Sequence, residues 1–189
     1  WGRGGLFNAG FAGLCGVGAY TSAILTTAAS GRHLGGFSMP VPIGLVGAAI
    51  VAGVTGWAVA RICVRLKSDY LAMASIGIAE ILRLVFVNES WLTNGSLGVS
   101  RIPRPFADFT TGRMSDVAFL GFVWLIVLLV YVATTRLYDS PWGRSLRAIR
   151  DNETSASAAG KNVEKFRVQT FVIGCAVMGI AGGLSAHYF

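Results

Sequence analysis

Charge is scarce in this sequence. Asp, Glu, Lys and Arg make up 13% of its 189 residues, where a soluble domain of ordinary composition carries about a quarter. Acids are scarcer than bases, nine against sixteen, which leaves a formal net charge of +7. The three cysteines, Cys15, Cys63 and Cys175, lie in or beside apolar segments without CxxC spacing. They read as small buried hydrophobes, not as a metal site or a disulfide frame. The two histidines, His33 and His187, are solitary, with no partner at ligand spacing. A GxxxxGK[ST] phosphate loop is missing, since Gly160-Lys161 is followed by Asn162, and neither HExxH nor GxSxG occurs. No catalytic set, metal or cofactor is therefore expected. The first residues also lack the basic-then-apolar layout and cleavage site of a signal peptide.

Apolar residues are abundant instead. Hydrophobic residues make up 53% of the chain and 25 glycines accompany them, giving a mean hydropathy of +0.60. Glycine is commoner in membrane helices than in soluble ones, so the chain reads as an integral membrane protein of the all-α class, a polytopic transmembrane helix bundle. It begins at Trp1 and stops at Phe189 inside an apolar run, and is expected to be a fragment of a longer polypeptide. The basic balance points to no nucleic acid, because the charges fall between apolar spans, where basic cytoplasmic loops account for them.

A membrane crossing needs about 20 mostly apolar residues. Five such segments are predicted, at about 9–29, 41–61 (after Pro40 and Pro42), 70–88, 117–135 and 168–186. Alternation then places Arg3, Arg61, Arg65, Lys67, Arg136, Arg144, Arg147, Arg150, Lys161, Lys165 and Arg167 on one side. The other side holds Arg32, Arg101, Arg104 and Arg113, with Arg83 left inside a span. The positive-inside rule assigns the richer side to the cytoplasm. The segment 140–167 is then cytoplasmic, and the loop at about 89–116, with turn signals Asn94-Gly95 and Gly98, faces outward.

Small residues recur four apart, as in Ala9/Gly13, Ala12/Gly16, Ala49/Gly53 and Gly179/Gly183, a spacing that lets helix backbones approach closely in lipid. Glu80 and Arg83 lie three apart in an otherwise apolar helix, so both can occupy one face. Charges at membrane depth are costly and normally face protein or water. The pair is open to two readings, a structural ion pair or part of a polar lining for a zwitterionic solute.

The polar segment 140–167 is strongly patterned. Ser140-Pro141 makes a helix start. Trp142, Leu146 and Ile149 then fall on one face, beside a basic stripe of Arg144, Arg147 and Arg150. Asn152 can end this helix and cap a second, ETSASAA, closed by Gly160. Two short helices of this kind suit docking to a soluble partner or lying on anionic lipid.

The run SPWGRSLRAIRDNE, followed by ASAAGKNVEKFRVQTFVIG, resembles the cytoplasmic loop of bacterial ABC permeases for branched-chain amino acids, specifically the M-type of their two permease subunits. GLFNAGFAGLCGVGAYTSAIL is similar to that family's first glycine-rich signature. LKSDYLAMASIGIAEILRLVFVN and SWLTNGSLGVSRIPRP match its next two blocks in the same order. Three departures stand out: Phe11 where many relatives have His or Gln, Asn8 for the commoner Ser, and Thr154-Ser155 where apolar or Ala residues are usual. The resemblance implies a single permease domain over 1–189 and a coupling helix that seats in an ATP-binding subunit. Pro141, Trp142, Gly143, Arg144, Arg147, Arg150, Glu153 and Gly160 would carry that coupling. Asn8, Tyr20, Glu80 and Arg83 become candidates for the translocation path. The implied partners are a second permease subunit, two ATP-binding subunits, a periplasmic solute-binding protein and membrane lipid, in the bacterial inner membrane. The implied cargo is branched-chain or related amino acids, with urea or short amides as the alternative. A self-sufficient channel or secondary transporter, or an integral membrane enzyme, are the readings from other classes.

Overall fold

The computed structural model describes residues 9–28, 35, 37–63, 68–100, 102–105 and 113–188. Arg3, Asn8, residue 29 at the end of the first expected span, Arg32, His33, Arg65, Lys67, Arg101 and residues 106–112 of the outward loop lie outside them. Eight α-helices are described: α1 Phe11–Thr26, α2 Val41–Cys63, α3 Ser68–Asn88, α4 Ser90–Thr93, α5 Arg113–Asp139, α6 Pro141–Asp151, α7 Glu153–Ala158 and α8 Val163–Tyr188. A 3-10 turn at Gly95–Leu97 follows α4, and the described residues contain no strand.

Helix ends follow local chemistry. Pro42 sits in the first turn of α2, where an N–H has no intrahelical acceptor and its absence costs nothing. The carbonyl of Pro40 accepts from the N–H groups of Ile43 and Gly44, at 2.9 and 3.3 Å. Helices α5 and α8 run beyond the expected spans at both ends, to 113–139 and 163–188. Their terminal turns carry Asp116 and Arg136, and Glu164 and His187. A helix satisfies its own backbone as well in the interface as in hydrocarbon, so a boundary drawn at the first charge falls short. Four helices, Val41–Cys63, Tyr70–Asn88, Met114–Asp139 and Val163–Tyr188, are long and apolar enough to cross a membrane, whereas α1 is a shorter apolar helix of 16 residues.

The core forms where α1, α2 and α8 pack against one another. Lipid supplies no hydrophobic drive between helices, so close packing has to. A methyl group added at Gly18 of α1 would lie 2.1 Å from the carbonyl oxygen of Gly179 in α8. One added at Gly182 would lie 2.0 Å from the carbonyl oxygen of Cys15. Ala48 and Ala52 of α2, fully buried, complete this contact. Nearer the other end of the bundle, Leu14, Val59, Leu71, Phe171 and Cys175 form a continuous buried cluster. α3 leans on α1, where Gly13 faces Ala79 and the N–H of Ala9 donates to Ser75 Oγ at 3.0 Å. α5 stands apart. None of its described side chains is buried, and it meets the rest mainly at its two ends, through α6 and through a Phe119–Tyr188 ring contact at 6.3 Å.

Candidate functional site

α6 and α7 form an elbow at the end of the bundle where α5 stops and α8 starts. The corner between α5 and α6 is tight: Ser140 takes the N-cap position, and a Cβ at Gly143 would lie 2.1 Å from the Tyr138 carbonyl oxygen. Ser140 does not cap α6 through its side chain; its hydroxyl donates back to the Leu137 carbonyl at 2.5 Å. Gly143, Leu146 and Ile149 turn inward and are buried. The apolar face is thus spent on the protein itself and not on a lipid surface. Trp142 is half-buried, stacks on Phe166 at 6.2 Å and donates its indole N–H to Gln169 Oε1 at 2.8 Å.

The basic stripe divides into two kinds of residue. Arg144 and Arg147 reach back to the carbonyls of Asp139 and Tyr138 at the C-terminus of α5, at 3.4 and 3.5 Å, where the helix dipole favours a cation. Arg150 pairs with neighbouring Asp151 at 3.1 Å and remains exposed. Asn152 is the one-residue joint: its backbone is extended, and its side chain accepts from the Ser155 N–H at 3.0 Å. α7 closes in a Schellman motif, with Gly160 N–H on Ser157 O and Lys161 N–H on Ala156 O, and Gly160 in the left-handed region at φ 76°. Glu153 then bridges to Arg167 of α8 at 2.8 Å. The eight residues expected for coupling therefore share one elbow, with α6 bonded to α5 and α8, and α7 bonded to α8. Sequence reasoning missed Gln169 and the Glu153–Arg167 bridge, because both are contacts between segments that sit far apart in the chain.

The candidates for a path residue are less gathered. Glu80 and Arg83 form a bidentate pair, with Arg83 Nη2 2.6 Å from Glu80 Oε1 and Nε 2.9 Å from Oε2. Their side chains are 54% and 60% exposed. Tyr20 instead packs its ring 4.6 Å from Phe86 in the α1–α3 contact.

At the opposite end of the bundle sits a polar knot that the sequence did not announce. His187 is 1% exposed, with Nδ1 2.9 Å from the Pro103 carbonyl and Nε2 2.9 Å from Ser22 Oγ. A carbonyl only accepts, so Nδ1 carries the hydrogen and Nε2 accepts from the Ser22 hydroxyl. Arg104 donates to the Tyr188 carbonyl at 3.0 Å. Residues 103–104 are thereby strapped to α8, and through His187 to α1. Two clefts flank α5 where it stands off from α8, one of about 840 Å³ beside this knot and one of about 710 Å³ beside the elbow. Among the described residues no group of His, Cys, Asp and Glu could hold a metal ion.

Residues 1–189 match a family described as branched-chain amino acid transport system / permease component. The high-affinity branched-chain amino acid transport system permease protein LivM of Escherichia coli strain K12 is 29% identical over 208 residues, covering 98% of this chain and 47% of its own length. The probable branched-chain amino acid transport permease protein LivM of Methanocaldococcus jannaschii is 35% identical over 148 residues, 76% of this chain and 42% of the relative. The corresponding LivH protein of Escherichia coli strain K12 is 26% identical over 180 residues, 92% of this chain and 58% of the relative. The chain thus spans about half the length of the curated relatives it matches. No solved structure matches it.

Proposed function

Because the chain belongs to the family of branched-chain amino acid transport permease components, and is a multi-pass membrane protein, we propose that it forms part of the membrane-spanning permease of an ABC importer. In this reading it carries branched-chain or related amino acids across the bacterial inner membrane. A second permease subunit and two ATP-binding subunits complete the pore and its motor, and a periplasmic solute-binding protein delivers the cargo. The observation that carries the reading is the elbow: its apolar side is buried, while Arg150 and most of α7 are exposed. A surface held this firmly from behind and left open in front suits docking. ATP-driven closure of the ATP-binding subunits then pushes on residues 140–160 and shifts the spans between two states of access, through contacts that differ between the states.

Co-purification tests this reading. The full-length protein, tagged and co-expressed with the ATP-binding subunits of its operon, should bring them through purification. Arg150→Glu combined with Ser155→Arg, both on exposed positions of the elbow, should weaken that recovery at least tenfold while the protein's level in the membrane stays the same. Full-length protein that takes up amino acids alone in liposomes, without ATP, would overturn the proposal.

A further inference from the structure

The cleft beside the elbow joins a charged rim to apolar walls. α2 contributes Trp57 and Arg61, α5 contributes Leu137, and α8 contributes Lys165 and Gln169. Arg61 lies with its guanidinium 5.0 Å from the centre of the Trp57 ring, which positions the cation without neutralising it. Neither Arg61 nor Lys165 has an acidic partner among the described residues. Glu164, the acid in the lining, is already engaged. Gln169 spends its carbonyl oxygen on Trp142, which leaves its NH2 as a donor. The rim therefore offers two cations and an amide donor to an incoming anion.

Below the rim the chemistry changes. Leu137, Val168, Val172 and Ile173 form apolar walls that continue along α8 away from the charged turn. A volume of about 710 Å³ far exceeds an inorganic ion, and an apolar wall gives such an ion nothing to bond. An extended peptide segment would leave its backbone groups unpaired against those walls, and a helix would bring no anionic group to the two cations. The fitting occupant has a negatively charged head and a long apolar tail, and its tail direction coincides with the membrane interior.

We propose that this cleft binds one anionic phospholipid, with its phosphate held by Arg61 and Lys165 and an acyl chain laid along Leu137, Val172 and Ile173. Basic pockets between membrane helices are suited to such headgroups. Since the lipid would touch α2, α5 and α8 together, it would fill the gap that separates α5 from the bundle on the elbow side.

The test uses the full-length protein in detergent, with native mass spectrometry after addition of phosphatidylglycerol or phosphatidylcholine. The wild-type protein should retain one phosphatidylglycerol in preference to phosphatidylcholine. The pair Arg61→Gln with Lys165→Gln should lower that preference roughly 30-fold, at about one tenfold step per 1.4 kcal/mol and about 1 kcal/mol per cation. Arg136→Gln with Lys161→Gln removes the same charge at exposed positions outside the cleft and should retain the lipid. Equal retention of both lipids, or equal loss in the two double variants, would overturn the proposal. So would displacement of the lipid by inorganic phosphate, which would make the site one for a free anion. Should the Gln pair misfold, Arg61→Lys with Lys165→Arg keeps the charges and must keep the preference.

Discussion

At the scale of single residues, contact in this protein is decided by what is absent from a side chain. Gly18 meets the Gly179 carbonyl at a distance no Cβ tolerates. Gly18→Leu should therefore force α1 off α8, and over-packing of this kind typically costs about 1–3 kcal/mol. The expected result is a lower melting temperature and a reduced yield of folded protein in detergent; an unchanged melting curve would refute the packing described. Gly179/Gly183 stand out in the sequence as a spaced glycine pair, whereas Gly18 and Gly182 have only Ser22 and Ala186 at that spacing. The reason is that spacing along one helix reveals a narrow face but not which residue of another helix will meet it. That depends on the crossing geometry. The same limit hid Trp142–Gln169 and Ser22–His187, whose partners are 27 and 165 positions apart. The Glu80–Arg83 pair was legible, being three apart, but its exposure was not. Glu80→Gln with Arg83→Met should abolish uptake at normal protein level if the pair lines a polar path. Retained uptake would leave it a structural pair.

At the scale of elements, the elbow was the most legible part of the chain because its signals are local. Ser140-Pro141, Asn152 and Gly160 each act on the backbone within a turn, and each stands at a boundary of α6 or α7. The ends of α5 and α8 were less legible, because hydropathy marks where the hydrocarbon stops and not where helical bonding does. The elbow also predicts its own weak point. Gly143→Val would place atoms on the Tyr138 carbonyl and open the corner between α5 and α6. Recovery of the ATP-binding subunits should drop by an order of magnitude, with α5 still inserted. Gly174→Ala in α8, where a methyl group meets nothing within 4 Å, should leave recovery unchanged. If both variants behave alike, the corner does not position the elbow.

At the scale of the whole molecule, the all-α architecture followed from composition and from apolar runs of about 20 residues, whereas the separation of α5 from the bundle did not. Its run FVWLIVLLVYV is the most apolar in the chain, and nothing in it distinguishes a buried helix from one facing lipid or another subunit. The proposed orientation is open to direct measurement. In a protein with Cys15, Cys63 and Cys175 replaced, Ser100→Cys should react with a membrane-impermeant maleimide in intact spheroplasts. Lys161→Cys should react only after the membrane is opened. The reverse pattern would invert the topology. The helices that fit most closely, α1, α2 and α8, lie at the two extremes of the described sequence. At roughly 5–20 residues per second, a ribosome needs on the order of ten seconds to pass from α2 to the end of α8. During that interval the glycine-lined faces of α1 and α2 wait in the bilayer without their partner. The nascent chain is most exposed to mispairing then, and insertion factors that shelter small-residue faces would have the most to protect.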